Sequence, residues 1–140
     1  MITQTATNSF LEELLQGVHD FSTDTFKIAL YTASADIGAA TTVYITTGEV
    51  VGFGYVAGGN TLSGASVGLS NGVSYVDFND STWAGASFTA RGALIYNSSK
   101  GNRSVAVLNF GDDKTSTSSF TVQMPPATAT TALIRVNKGV

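Results

Sequence analysis

The sequence predicts an all-β protein, a β-sandwich or jelly roll of about eight short antiparallel strands with a short N-terminal α-helix. Three observations carry that expectation. From Phe26 onward apolar residues recur at every second position, the period of a half-buried strand. Turn signals punctuate the pattern at near-regular spacing: Gly58-Gly59, Asn71-Gly72, Asp112-Asp113 and Pro125-Pro126. The 34 Ser and Thr and 15 Gly, beside only 12% charged residues, suit strand surfaces kept wet by hydroxyls and turns rather than by ions.

A chain of 140 residues has room for one core. Its 43% hydrophobic content at a net charge of −3 is far from the signature of disorder. We therefore expect an N-terminal arm and short amphipathic helix over residues 1–24 and a β-sandwich domain over 25–140. The absence of cysteine removes disulfides, thiolate nucleophiles and Cys-ligated metal centres from consideration.

The arm "MITQTATN" lacks a basic n-region, and no stretch of about 18 apolar residues occurs, so neither export nor membrane insertion is expected. From Ser9 to Gln16, Phe10, Leu11, Leu14 and Leu15, continued by Val18, make one apolar stripe. Ser9 with Glu12 reads as a capping box, and Gly17 as the stop. So short a helix needs an apolar surface to lie on, its own sheet or a partner's groove. On the second reading Phe10 and Leu14 are partner contacts.

Strands are expected at Phe26 to Thr32, Val43 to Val51, Phe53 to Val56, Thr61 to Leu69, Val73 to Phe78, Phe88 to Tyr96, Val105 to Phe110, Phe120 to Met124 and Ala132 to Val136. "SNGVSYVDF" is the best local hairpin, since Asn-Gly accepts the positive φ angles of a type I′ turn. "GALIY" and "VAVLNF" are apolar on both faces and so should lie centrally. Between them "NSSKGNR" reads as a turn, with Asn97 starting an Asx turn and Gly101 at positive φ. Lys100 and Arg103 would then project from its tip as cationic partner contacts. "KTSTSSFT" is expected to be a flexible loop and "PPATATTA" a semi-rigid connector.

Chemistry-bearing groups are few. The one histidine, His19, follows the helix and has no G-x-S-x-G elbow to serve, so a structural or capping role is expected. Asp77, Asn79 and Asp80 offer oxygen ligands, but their spacing is not that of an EF-hand and suits Asx turns closing a hairpin. "GFGYVAGG" has neither the spacing nor the following helix of a phosphate-binding loop. The pI near 4.8 argues against a dominant nucleic-acid surface. No catalytic residue, cofactor or metal is predicted. Residues 1–80 hold eight acids and one base, residues 81–140 two acids and six bases. That split either averages out within the fold or pairs neighbouring subunits.

The order of "FLEELLQGVHDF", "FKIALYT", "FTARGALIYNSSKGNRSVAVLNFGDDK" and "FTVQMPPATATTALIRV" resembles a group of small virion proteins of tailed bacteriophages, over about Phe10 to Val136. The resemblance implies a non-enzymatic β-sandwich that decorates and cements the capsid shell, with the major capsid protein and further copies of itself, as a dimer or trimer, for partners. It implies no membrane or direct nucleic-acid contact, and a place on the capsid exterior after synthesis in the host cytoplasm. Related β-sandwiches also serve in tails and fibres, where the role would be host-surface or carbohydrate binding.

Overall fold

The computed structural model describes residues 1–140, and the residues before the helix pair with a sheet. Thr5–Ala6 (β1) pairs with Val107 and Ala106, and Ile2 bridges to Ile37. The helix α1, Asn8–Leu15, follows Thr7, which makes no side-chain capping bond. The expected Ser9/Glu12 box does not form; Ser9 Oγ lies 3.4 Å from Ser104 Oγ instead. Gly17, at φ +72°, stops the helix as expected. The Val18 N–H donates to Glu13 O and the Gly17 N–H to Leu14 O, the paired bonds of a Schellman end.

Phe10 is fully buried and Leu14 half-buried against the same core, so the helix lies on its own sheet. That corrects their reading as partner contacts. The expected stripe was too wide: Leu11 and Leu15 are 51% and 91% exposed, while Glu13 turns inward.

The remaining strands are β2 (Phe26–Tyr31), β3 (Asn60–Thr61), β4 (Ser66–Ser70), β5 (Val73–Asp77), β6 (Ser81–Ala84), β7 (Phe88–Asn97), β8 (Arg103–Ser116), β9 (Ser119–Val122) and β10 (Ile134–Val136). They form three antiparallel sheets, ordered β1-β8-β7-β2-β3, β10-β5-β4 and β6-β9. The all-β expectation with one short N-terminal helix holds. "GALIY" and "VAVLNF" are central. Alternation along β7 sends Ala93 and Ile95 to one face and Leu94 and Tyr96 to the other, while a bulge at Val105 interrupts the alternation of β8, so that Val105 and Val107 enter different cores. Ile28, Leu30, Ala93, Ile95 and Val105 enter the larger core, closed by α1 and by Val76, Phe78, Trp83, Phe120, Val122 and Ile134 of the smaller sheets and their connections. Ala29, Tyr31, Leu94, Tyr96 and Val107 enter a second core, roofed by Ile2, Ala35 and Ile37.

Several expected strands differ. Val43 to Val51 and Phe53 to Val56 form no ladder, only single bridges at Val43, Glu49 and Phe53. Gly48 and Gly54, at φ +79° and +85°, break the extended path, and the far edge of β2 already carries β3. Gly64, at φ +66°, divides Thr61 to Leu69 into β3 and β4. Asp112-Asp113 is a bulge and not a turn: between the pairs Ala90/Lys114 and Gly92/Asn109, β8 fits Phe110 to Asp113 opposite Arg91 alone. Arg91 Nη1 reaches Asp113 Oδ1 across it at 3.3 Å. "KTSTSSFT" is ordered: it is the end of β8, a turn at Thr117-Ser118 and the start of β9, and the one hydroxyl hydrogen of Ser116 is shared between the carbonyls of Ser119 and Ala86, at 2.6 and 3.0 Å.

Candidate functional site

The heptad that holds Lys100 and Arg103 lies over a buried polar network. Asn97 ends β7; its Oδ1 accepts the Ser99 N–H at 3.0 Å and caps a single 3₁₀ turn, Ser98–Lys100. Gly101 at φ +66° and Asn102 at φ +60° then turn the chain into β8. With Oδ1 so engaged, the Asn97 NH₂ points inward. One hydrogen goes to His19 Nδ1 (3.0 Å), the other to Asp24 Oδ2 (2.8 Å). Since Nδ1 accepts, the proton of the neutral imidazole sits on Nε2 and is donated to Glu13 Oε2 at 2.8 Å. Arg103 Nη1 reaches Glu13 Oε1 at 3.3 Å, and Lys100 Nζ donates to Asp24 Oδ1 at 3.1 Å.

Lys100 and Arg103 therefore end a closed chain that runs through Asp24, Asn97, His19 and Glu13. Their side chains keep 40% and 50% exposure, but neither is a free cationic tip, and this corrects their reading as projecting contacts. Two acids of the first half meet two bases of the second within one chain. His19 has the structural place expected of it: its side chain is fully buried and both ring nitrogens are engaged, so it presents no face to a substrate.

Burial raises the Asp24 carboxyl, but hydrogen bonds from Asn97, the Asp20 N–H and Lys100 outweigh it and hold the group below the usual carboxylate range. Asp20 is lowered too, by the Ser22 hydroxyl and N–H. A carboxyl depressed in the fold contributes stability above its unfolded pKa, and that contribution is lost as pH falls through the folded one. Asp77, raised by burial, works the other way and partly offsets the loss. Stability in urea should thus decline below about pH 4, where free Asp titrates. The decline between pH 7 and pH 3 should be smaller in Asp24→Asn; an equal decline in both proteins would remove Asp24 as its source.

A second polar cluster holds the 43–59 segment to the sheet. Glu49 accepts Tyr55 Oη and the Gly58 N–H on Oε1, and Tyr44 Oη on Oε2, each at 2.7 Å. Tyr96 Oη donates to Gly58 O at 2.8 Å, and Tyr31 Oη to Ile45 O at 2.6 Å. Burial first, and then the Glu49 charge, pushes the Tyr31 and Tyr96 phenols up; Tyr44 and Tyr55 rise by burial and by their bonds to Glu49. All four therefore stay protonated and donate. The clamp presents Val51, Phe53 and Val56 to solvent at 95%, 78% and 77% exposure. Its one sequence signal was isolation, since Glu49 is the sole charged residue between Asp36 and Asp77.

The acidic turn is occupied by structure. Asp77 accepts the N–H groups of Phe78 and Leu133, Asp80 that of Met124, and the Asn79 amide donates to Ser63 Oγ. A groove of about 910 Å³ runs between the β1/β8 edge and the C-terminal segment, floored by Phe110, Leu108 and Met124. No family model, no curated protein and no solved structure matches the chain.

Proposed function

We propose that this is a non-enzymatic structural protein of a tailed-phage virion, which decorates the capsid exterior and cements it by bridging major capsid subunits, itself as a dimer or trimer. The motif order described above motivates the reading. The observation that carries it is the loop of Val51, Phe53 and Val56, apolar and exposed yet held to the sheet by the Glu49 cluster. An apolar patch on a rigid support suits docking to another protein, because little conformational entropy is lost on binding. Multiplied around a symmetric shell, weak contacts of this kind add up to firm attachment.

The test is addition of the purified protein to undecorated capsids at near-physiological salt. Stoichiometric occupancy of symmetry-related sites is expected, and Phe53→Asp should weaken it at least about tenfold, as for an apolar anchor at an interface. Absence of binding by the unaltered protein overturns the reading. Charge reversal at Lys100 and Arg103 is a poor probe, since it sets new acids against Asp24 and Glu13. Copy number separates the tail or fibre alternative, for which a few copies per particle are expected and not hundreds.

A further inference from the structure

β4 is the outer strand of the sheet β10-β5-β4, and no strand pairs with its far edge. Sheets usually guard such an edge with charge, proline, a bulge or a covering loop. β4 reads Ser66-Val67-Gly68-Leu69-Ser70 and has neither charge nor proline; Val67 and Leu69 are 61% and 75% exposed.

The register shows which backbone groups are free. Asn71 and Gly72, at φ +52° and +76°, make a two-residue turn closed by the pair Ser70/Val73. In such a hairpin the closing pair exchanges hydrogen bonds and the pairs then alternate. Ser70, Gly68 and Ser66 therefore direct their N–H and C=O groups to β5, and Val67 and Leu69 direct theirs outward. None of the turn and loop backbone bonds engages these outward groups.

The strand is also nearly palindromic about Gly68. An antiparallel copy related by a two-fold axis at Gly68 sets Val67 opposite Leu69 of the second copy, and Leu69 opposite its Val67. Both are hydrogen-bonded pairs, so four backbone bonds satisfy all the outward groups of the two segments. Gly68 meets its equivalent in a non-hydrogen-bonded pair, where Cα atoms approach to about 4.5 Å. On one face the exposed Val67 and Leu69 side chains of both copies come together. On the other, Tyr75 covers Gly68 so closely that a Cβ there would lie 2.4 Å from the ring.

We propose that β4 is the seam of a homodimer, in which two copies pair antiparallel about Gly68 and join their three-stranded sheets into one of six strands. This gives a surface to the self-association proposed above. It is tested without capsids, so its failure is distinct from a failure of capsid binding. A single strand edge is a small interface, below about 1,200 Å², so the dimer should be sought at high protein concentration, about 0.3 mM.

Sedimentation there should give twice the 14.5 kDa chain mass, and Leu69→Lys or Val67→Lys should restore the monomer with an unchanged melting curve. The chain has no cysteine, so Ser66→Cys combined with Ser70→Cys gives a clean second readout. Residues 66 and 70 of opposite copies form non-hydrogen-bonded pairs, within the roughly 4.4–6.8 Å Cα range of a disulfide. A covalent dimer on a non-reducing gel is expected. A monomeric wild-type chain at that concentration overturns the proposal. So does a dimer that survives both lysine variants and forms no cross-link, since its seam would lie elsewhere.

Discussion

Gly59→Ala is expected to abolish the native fold, or to cost more than about 4 kcal/mol, the range reserved for severe steric or core defects. A Cβ at Gly59 would lie 1.8 Å from the Ile28 carbonyl oxygen and 2.8 Å from the Ala29 Cα. Those atoms belong to the backbone of β2, whose Ile28, Ala29 and Leu30 are fully buried between the two cores, so they have nowhere to move. Relief would have to come from the Gly58-Gly59 turn, which is fixed by Tyr96 Oη on Gly58 O, by Glu49 on the Gly58 N–H, and by the pairing of Asn60 with Ile28. The φ of +75° adds backbone strain. Gly17→Ala and Gly101→Ala are the controls. Both sites have positive φ, but a Cβ there meets nothing within 4 Å, so only the strain of about 1–2 kcal/mol is expected. Urea unfolding followed by the single tryptophan, Trp83, which is 4% exposed, ranks the three. A Gly59→Ala protein as stable as the controls would show that the turn is free to shift.

That contrast bears on what a sequence can reveal. Turn chemistry acts over a few residues, so Asn71-Gly72, the Asn97 cap and the positive φ of Gly101 were legible from neighbouring letters. The partners of Asn97 were not, because His19 and Asp24 lie 78 and 73 residues away. Glu13 illustrates the same limit. A charged residue on a helix pattern reads as solvent-facing, and only His19 and Arg103, brought by the fold, make its burial tolerable. Period-two alternation failed for a different reason at Val43 to Val51. The β-branched run has the strand pattern, but its place is fixed by phenols on Glu49 and by contacts of Tyr44 with Tyr96, whose rings stack at 4.9 Å. Side-chain clamps of that kind leave no periodic trace.

Asn97→Ala should be the most damaging single change in the polar network, at about 3–5 kcal/mol from several orphaned buried groups. The amide performs three tasks at once. It caps the 3₁₀ turn through Ser99, satisfies His19 Nδ1 and shares a hydrogen bond with the Asp24 carboxylate. The residue is fully buried, so removal leaves a small void that restores none of these bonds. Asn97→Asp separates hydrogen bonding from volume. Its shape is nearly unchanged, yet a carboxylate oxygen would replace the NH₂ group and face both Asp24 Oδ2 and the lone pair of His19 Nδ1. At pH 7 it should therefore be no more stable than Asn97→Ala, although it keeps the volume that alanine loses. Urea midpoints of the two variants decide the matter. If Asn97→Asp is close to wild type, packing and not the directed amide holds this corner, and the network is incidental to it. If both fall together, the link of α1, the 17–25 loop and the β7–β8 turn depends on which hydrogens Asn97 donates. The same corner then fixes Lys100 and Arg103 in place, since each cation is positioned by an acid that Asn97 or its direct partner orients.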